Sequence, residues 1–362
     1  MRVAAAAISL GITATACGGG SVASAITASV ALPAPLVVGA GAPTESSSAI
    51  QHTIGDGRFT TTTAQGTGTI PYFSSLPLAS AHPGITRVVV IVHGEQRDAG
   101  EYFNDVTTAQ AIAGADATAL VIAPQFLNTM DVDDPRNNLP ATILGWRVDE
   151  YSDGKDAQTP SPLSAFDVLD ALVGSFTNRG IYPDLHTIVL AGHSGGAQLI
   201  TRYAIVGTGF AAAATAGYDV RFVVVSPSSY LYFDSLRPAG AGFAPADANA
   251  CPAFNSWRYG FTGAPRYVGT PNAAALFAQY ATENVTFISG SLDTDRDGSI
   301  DQSCGAEDEG IDRVTRANNY FAYLTFHNGG TPIQAAVTVT GIGHSDSQML
   351  VSPPAVAALF GP

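Results

Sequence analysis

A short glycine-rich segment, Gly192-His-Ser-Gly-Gly196, most constrains what this chain can fold into. It follows the apolar run Ile188-Val-Leu-Ala191 and precedes a stretch with the periodicity of a helix. This order predicts a strand, a sharp turn with Ser194 at its apex, and a helix. Small residues beside the serine let the backbone take a strained conformation that exposes the hydroxyl. Ser194 is therefore a candidate nucleophile, and a purely structural glycine turn is the alternative.

Apolar runs and helical patterns alternate along most of the chain. Continuous apolar runs predict strands that are covered on both faces. Between residues 52 and 78, shorter runs separated by turns predict an antiparallel edge. A helix is expected to begin at Ser161-Pro162, because serine is a good cap and proline suits the first turn. The predicted fold class is α/β, a doubly wound and mostly parallel sheet with helices on both faces. The main predicted strands cover residues 87–92, 119–124, 188–191, 220–225, 284–289 and 334–340.

The N-terminus predicts three segments of different character. Residues 1–17 combine Met1-Arg2 with a short apolar run that ends at Cys17, which is typical of a lipoprotein signal. Residues 18–48 are rich in Ala, Ser, Pro and Gly and predict a flexible tether. Residues 49–362 are expected to form a single catalytic domain. The expected location is outside the cytoplasm, either lipid-anchored to a bacterial envelope through Cys17 or simply secreted.

The charge balance excludes some classes of partner. The formal net charge is −14, with only 16 Lys and Arg residues. Nucleic acid and anionic membrane surfaces need clustered basic residues, so neither is expected as a partner. Membrane contact is expected only through a lipid on Cys17. The oligomeric state is not indicated.

Export also changes the interpretation of the cysteines. With Cys17 lipidated, Cys251 and Cys304 remain, and such a pair usually forms a disulfide in an oxidising compartment. Two separate buried thiols are the alternative. Two cysteines so far apart are too few for a structural zinc site.

A serine nucleophile requires a base and an acid that orients the base. On a strand–turn–helix motif of this kind, the acid and then the histidine follow the serine along the chain. Of the seven histidines, His327 and His344 follow the motif along the chain, as this order requires. His344 follows the last predicted strand, and His327 lies at a helix end, which favours His344. Asp293 follows the preceding strand and is the expected acid, with Asp234 as the alternative.

Other residues complete the predicted site. The backbone N–H groups of Gly195 and of Glu95 are the expected oxyanion donors, with Gln96 as the alternative to Glu95. Tyr230 and Trp146 are candidate substrate-binding side chains, because Tyr230 follows a strand and Trp146 lies in a long loop. Arg97 is expected to pair with a carboxylate in a loop.

A second interpretation exists for the loop from Asp293 to Asp301. Its acids and its glycine imitate the start of a calcium-binding loop, but Cys304 stands where a bidentate glutamate is needed. The loop is therefore interpreted mainly as a polar turn that carries the catalytic acid. No cofactor is expected, and no metal site is assigned.

Several separate segments in the correct order resemble the α/β-hydrolase family, from about Gly68 to the C-terminus. This resemblance implies a triad of Ser194, Asp293 and His344. More narrowly, the chain resembles a group of secreted hydrolases from bacteria and fungi. The expected function is an exported serine hydrolase of carboxylic esters; polyesters are candidate substrates that no residue specifically indicates. Two alternatives are a peptidase or amidase with the same triad, and a non-catalytic, calcium-stabilised binding module. The segments that carry the resemblance are Val92-His-Gly-Glu-Gln-Arg-Asp98, Ala191-Gly-His-Ser-Gly-Gly-Ala-Gln198, Ser226-Pro-Ser-Ser-Tyr-Leu-Tyr232, Asn255-Ser-Trp-Arg-Tyr-Gly260, Leu292-Asp-Thr-Asp295, Ser303-Cys304 and Gly341-Ile-Gly-His344.

Overall fold

The apolar runs form the strands of a mixed sheet. The computed structural model describes residues 49–148 and 150–361. The predicted signal, the lipidation of Cys17 and most of the predicted tether lie outside the described residues. The strands are β1 (Gly57–Thr63), β2 (Gly66–Ser74), β3 (Arg87–Val92), β4 (Ala119–Pro124), β5 (Thr187–His193), β6 (Asp219–Val225), β7 (Leu236–Ala239), β8 (Gly242–Pro245), β9 (Asn284–Gly290) and β10 (Ala335–Val339).

Helices connect most of these strands. No helix within the described ranges has the length and apolar character needed to cross a bilayer. The helices are α1 (Ala99–Ala113), α2 (Thr129–Asp133), α3 (Ala165–Phe176), α4 (Gly195–Val206), α5 (Gly209–Thr215), α6 (Ala273–Tyr280), α7 (Cys304–Glu307), α8 (Arg313–His327), α9 (Asp346–Leu350) and α10 (Pro353–Phe360).

The order of the strands confirms the predicted fold class. The main sheet has eight strands in the order β1-β2-β4-β3-β5-β6-β9-β10, counted over the described residues. From β4 to β10 all neighbours are parallel, whereas β1 and β2 form the predicted antiparallel edge. The small β7–β8 hairpin, which was not predicted, pairs only with itself in this part of the chain. Because the central strands are parallel, their carboxyl ends share one edge, where ligands bind in such sheets.

The sheet is buried on both faces, as continuous apolar strands require. In β3, Val88, Val90 and Val92 face one apolar core, while Val89 and Ile91 face the other. Helices α3 and α4 contribute to the first core, and helices α1, α9 and α10 contribute to the second. The central strands are therefore rigidly held, and so are the turns at their carboxyl ends.

The predicted start of α3 was wrong. The helix begins at Ala165, with Ser164 as its cap, and Ser161-Pro162 lies outside it. The Ser164 hydroxyl accepts a bond from the Phe166 N–H, and Asp167 accepts one from the Ser164 N–H. This reciprocal capping satisfies two backbone donors, so it outweighs the preference of proline for a first turn.

The predicted disulfide is confirmed. Cys251 and Cys304 are bonded across a sequence separation of 53 residues. The bond joins the loop after β8 to the start of α7, so it fixes the segment after the predicted catalytic acid to a distant loop.

Loss of this crosslink is expected to reduce stability strongly. In the chain-entropy treatment, closing a loop of 53 residues stabilises the folded state by about 4 kcal/mol. We expect the double variant Cys251→Ser/Cys304→Ser to lose about that much unfolding free energy in denaturant titrations under oxidising conditions. Cys17→Ser is the matched control and should keep the wild-type midpoint. Equal midpoints for all three proteins would contradict the prediction.

Candidate active site

Ser194 stands on a strained turn between β5 and α4. Its backbone has φ 56° and ψ −120°, and its side chain is partly exposed. Positive φ is uncommon for a residue other than glycine and costs about 1–3 kcal/mol, so the surrounding structure must hold it. The Ser194 N–H donates to the Val225 carbonyl of the next strand, 3.0 Å away. The strand, the turn and the helix are those predicted from the sequence.

Two glycines make this turn sterically feasible. A Cβ atom on Gly196 would lie 2.1 Å from the carbonyl oxygen of Val92, and one on Gly192 would lie 2.3 Å from the carbonyl carbon of Gly196. Both obstacles are backbone atoms of packed strands or helices, which cannot move away cheaply. Helix α4 can start directly beneath β3 only because these side chains are absent.

The substitution Gly196→Ala is therefore expected to destabilise the fold by about 3 kcal/mol or more, because it overpacks rigid backbone. The matched control is Gly174→Ala in α3, where a Cβ meets nothing within 4 Å. That substitution should stabilise the protein by up to about 1 kcal/mol, since alanine is the better helix former. Thermal unfolding of both variants tests the contrast, and equal melting temperatures would refute it.

The structure brings Ser194, His344 and Asp293 together. The Ser194 Oγ lies 2.9 Å from His344 Nε2, and His344 Nδ1 lies 2.8 Å from Asp293 Oδ2. A carboxylate only accepts, so Nδ1 carries the proton and Nε2 is left to accept from the serine hydroxyl. His344 follows β10 and Asp293 follows β9, as predicted, so all three side chains meet at the carboxyl edge of the sheet.

Asp293 is held as a buried carboxylate. Burial raises its pKa, but the hydrogen bond and charge of His344 and the charge of Arg313 more than offset this, so the pKa lies below the ordinary value of 3.8. The Arg313 Nη1 lies 3.5 Å from Asp293 Oδ1, and neither side chain is more than 1% exposed. Arg313, on α8, is a partner that sequence reasoning did not identify, because nothing in the local pattern marks a helix-borne arginine as buried.

The two rejected candidates pair with each other instead. His327 Nε2 lies 3.2 Å from Asp234 Oδ2. The His327 ring packs among Phe233, Phe277 and Tyr323. This pair stabilises the end of α8 and is separate from Ser194.

His193, the residue before Ser194 in the turn, packs against His344. His193 is buried, and its ring centroid lies 4.6 Å from that of His344. The Tyr102 hydroxyl lies 3.0 Å from His193 Nδ1. Burial and the neighbouring His344 and Arg313 lower the pKa of His193 well below its usual value. His193 therefore stays neutral and acts as a packing surface behind His344.

The turn after β3 faces the serine. A Cβ atom on Gly195 would lie 3.3 Å from the Glu95 nitrogen, so the two predicted oxyanion donors are neighbours. Arg97 fixes this turn from outside: its Nη1 donates to the Glu95 carbonyl at 2.7 Å. Its Nε binds Asp131 at 2.6 Å, and both side chains are almost fully buried. Arg97 thus pairs with a carboxylate, as predicted, but this carboxylate lies on the short helix α2 and not in a loop.

His93 is the inner support of the same turn. Its Nδ1 lies 2.7 Å from the Gly94 carbonyl, and its Nε2 accepts from the Phe126 N–H at 2.9 Å. Burial lowers the pKa of His93 to about 4, against a smaller raising effect of the bond to Gly94. A neutral imidazole with the proton on Nδ1 satisfies both contacts.

The predicted substrate contacts of Tyr230 and Trp146 are corrected by their burial. Tyr230 is 1% exposed and stacks on Tyr320, and Trp146 is fully buried against Phe126. The chain after β6 turns inward because the Tyr230 N–H donates to buried Glu309 at 2.9 Å. Trp146 anchors its own loop through a bond from Nε1 to the Lys155 carbonyl. Neither side chain can contact a substrate.

Two further acids of the 293–301 loop, Asp297 and Asp301, have partners in the protein. Asp297 accepts bonds from the Ser299 N–H and hydroxyl. Asp301 accepts from the Tyr259 hydroxyl and the Ser303 N–H. These two carboxylates thus shape the loop, and the calcium interpretation gains no support from their geometry. Within the described ranges, one cluster of acidic side chains is compact enough to hold a metal ion. It consists of Asp98, Glu101 and Asp346, none of which belongs to this loop.

Comparison with known proteins supports the fold. No family model matches the chain, and no curated protein does. Among solved structures, the poly(3-hydroxybutyrate) depolymerase LpqC from Bordetella parapertussis is similar, with a TM-score of 0.55, 17% identity, and coverage of 81% of this chain and 86% of that chain. Poly(aspartic acid) hydrolase-1 from Sphingomonas sp. KT-1 gives a TM-score of 0.55, 19% identity, and coverage of 85% and 99%. At such identities the likeness establishes the fold alone, which is the α/β-hydrolase fold.

Proposed function

We propose that this chain of the α/β-hydrolase fold is a serine hydrolase that cleaves carboxylic esters through an acyl-enzyme on Ser194. The observation that carries the proposal is the continuous contact from Ser194 Oγ to His344 to Asp293, at 2.9 and 2.8 Å. A serine hydroxyl with such partners is activated in the manner that acyl transfer requires.

In the proposed mechanism, His344 Nε2 takes the proton of Ser194 as the Oγ attacks the substrate carbonyl. The proton then passes to the leaving alcohol, which departs and leaves an acyl ester on Ser194. Water, deprotonated by the same nitrogen, attacks this ester; His344 then returns the proton to Ser194 Oγ as the acyl–Oγ bond breaks, which releases the acid and restores the serine. Asp293 holds the Nδ1–H tautomer and stabilises the imidazolium that forms in each step.

The negative oxygen of each tetrahedral intermediate needs donors. We assign this role to the N–H groups of Gly195 and Glu95, because these residues adjoin each other beside Ser194. Backbone donors at a fixed turn need no reorganisation when the charge develops, which is the basis of their catalytic effect.

The proposed substrate class is drawn from the names of two similar structures. One similar structure is named a depolymerase of poly(3-hydroxybutyrate), and another is named a hydrolase of poly(aspartic acid). Poly(3-hydroxybutyrate) is a polyester, so we propose small esters and polyesters as substrates. Poly(aspartic acid) is a polyamide, so the second name bears only on the amidase alternative. Export through the N-terminal signal, with a lipid on Cys17, would place the enzyme where external polymers occur. No nucleic acid is proposed as a partner.

A substrate panel tests the proposal. Purified protein is expected to label with a fluorophosphonate probe and to hydrolyse p-nitrophenyl esters in a series of acyl chain lengths. Peptide anilides and a suspension of poly(3-hydroxybutyrate) are assayed beside them. Faster turnover of anilides than of esters would favour the amidase alternative. A folded protein that neither labels nor hydrolyses any of these substrates would refute the proposed function.

A further inference from the structure

We propose that Tyr151 is a positioning residue of the oxyanion site: its hydroxyl orients the peptide between Gly94 and Glu95 so that the Glu95 N–H faces the reacting oxygen. Tyr151 lies in the long loop after β4, far from the triad residues in sequence. The inference rests on the proposed function, because it concerns how one of the assigned oxyanion donors is held in place.

The contacts of the Tyr151 hydroxyl carry the inference. The hydroxyl lies 2.8 Å from the Gly94 carbonyl and 3.1 Å from the His93 carbonyl. A hydroxyl has one hydrogen to donate, so the shorter contact to Gly94 is the stronger bond. The same Gly94 oxygen accepts from His93 Nδ1 at 2.7 Å and from the Arg97 N–H at 3.1 Å. This carbonyl is therefore fixed from three directions.

Peptide geometry transfers this constraint to Glu95. In a planar trans peptide, the carbonyl of one residue and the N–H of the next point in opposite directions. Fixing the Gly94 oxygen on the protein side thus turns the Glu95 N–H away from it. A Cβ atom on Gly195 would lie 3.0 Å from the Tyr151 hydroxyl oxygen and 3.3 Å from the Glu95 nitrogen. Donors on the carbonyl also polarise the peptide, which makes its N–H a better donor.

The Tyr151 ring is held firmly enough to serve as an anchor. It is 2% exposed and stacks on Phe126, with ring centroids 5.6 Å apart and an interplanar angle of 7°. Trp146 packs edge-on against Phe126, with ring centroids 5.4 Å apart. The His93 ring lies 5.1 Å from the Tyr151 ring. Trp146, which contacts no substrate, thus supports the oxyanion turn indirectly, through Phe126 and Tyr151.

The test removes only the hydroxyl. Tyr151→Phe keeps the ring and its stacking, and we expect kcat for a p-nitrophenyl ester to fall about 10- to 100-fold with little change in KM. The upper end approaches the cost of removing one oxyanion donor outright. Affinity for a trifluoromethyl ketone, whose adduct with Ser194 carries the same negative oxygen, should fall in parallel. A tyrosine with a merely structural role would not change this affinity.

The matched control is Tyr203→Phe on α4, which also removes a buried hydroxyl, here one bonded to Asp170 at 2.6 Å. It should lower the melting temperature without changing kcat or ketone affinity. Wild-type kcat and ketone affinity in Tyr151→Phe would overturn the proposal.

Failure of the proposed function is a separate outcome. If the wild-type protein neither labels nor hydrolyses esters, the proposed function fails, and crystal structures of wild type and Tyr151→Phe then decide on the positioning role. A Gly94–Glu95 peptide that rotates in the variant supports the proposal. An unmoved peptide overturns it.

Discussion

Ester turnover is expected to fall by about 10⁶-fold when Ser194 is replaced by alanine, which leaves only the rate supported by binding and the oxyanion donors. The reason is geometric: Ser194 Oγ is the atom within 2.9 Å of His344 Nε2, so no other hydroxyl inherits its activation. The measurement is kcat for p-nitrophenyl butyrate together with fluorophosphonate labelling.

Ser347→Ala is the matched control for this change. Ser347 is exposed on α9, close in sequence to His344, and its hydroxyl contacts only that of Ser345, at 3.2 Å, among the bonds described. The control should keep full turnover and full labelling. Labelling that persists in Ser194→Ala would show that another residue is the nucleophile.

Asp293→Asn is expected to lower kcat by about 10⁴-fold while preserving the shape of the site. An amide nitrogen facing His344 Nδ1 would favour the wrong tautomer, in which Nε2 carries a proton and cannot accept one from Ser194. Asp297→Asn, a change of the same type in the exposed part of the same loop, should keep nearly full activity. Near-wild-type turnover of Asp293→Asn would exclude Asp293 as the acid.

The same substitution has a pH-dependent effect on stability. Because the pKa of Asp293 is lowered in the folded protein, its carboxylate stabilises the fold above the unfolded pKa of about 3.8. That contribution is lost as the pH falls through the folded pKa. Asparagine also leaves Arg313 without a buried counter-charge. The difference in unfolding free energy between wild type and Asp293→Asn should therefore be full at neutral pH and shrink below pH 3.8.

The turn at Ser194 and the strand ends were predictable because their sequence signals are local. Gly192 and Gly196 stand in one strand–turn–helix pattern, and His344 and Asp293 follow apolar runs that are visible in the sequence. Parallel strands then bring these ends to one edge. Chain order and strand position were enough to choose His344 over His327.

The side chains around the triad were not predictable in the same way. Tyr230 follows a strand end, as a pocket residue would, but Glu309 binds its N–H from 79 residues away. Arg313 and Tyr151 reach the site through tertiary contacts that no spacing encodes. Periodicity reports which face of an element is buried, and it does not report which distant loop covers a strand end.

The disulfide has a topological consequence for proteolytic cleavage. The covalent ring between Cys251 and Cys304 encloses α6, β9 and Asp293. A single cut within that ring would leave the two fragments joined through the disulfide, so the fragment that carries Asp293 would stay attached. The stretch that carries Asp293 can thus be cleaved once without being released.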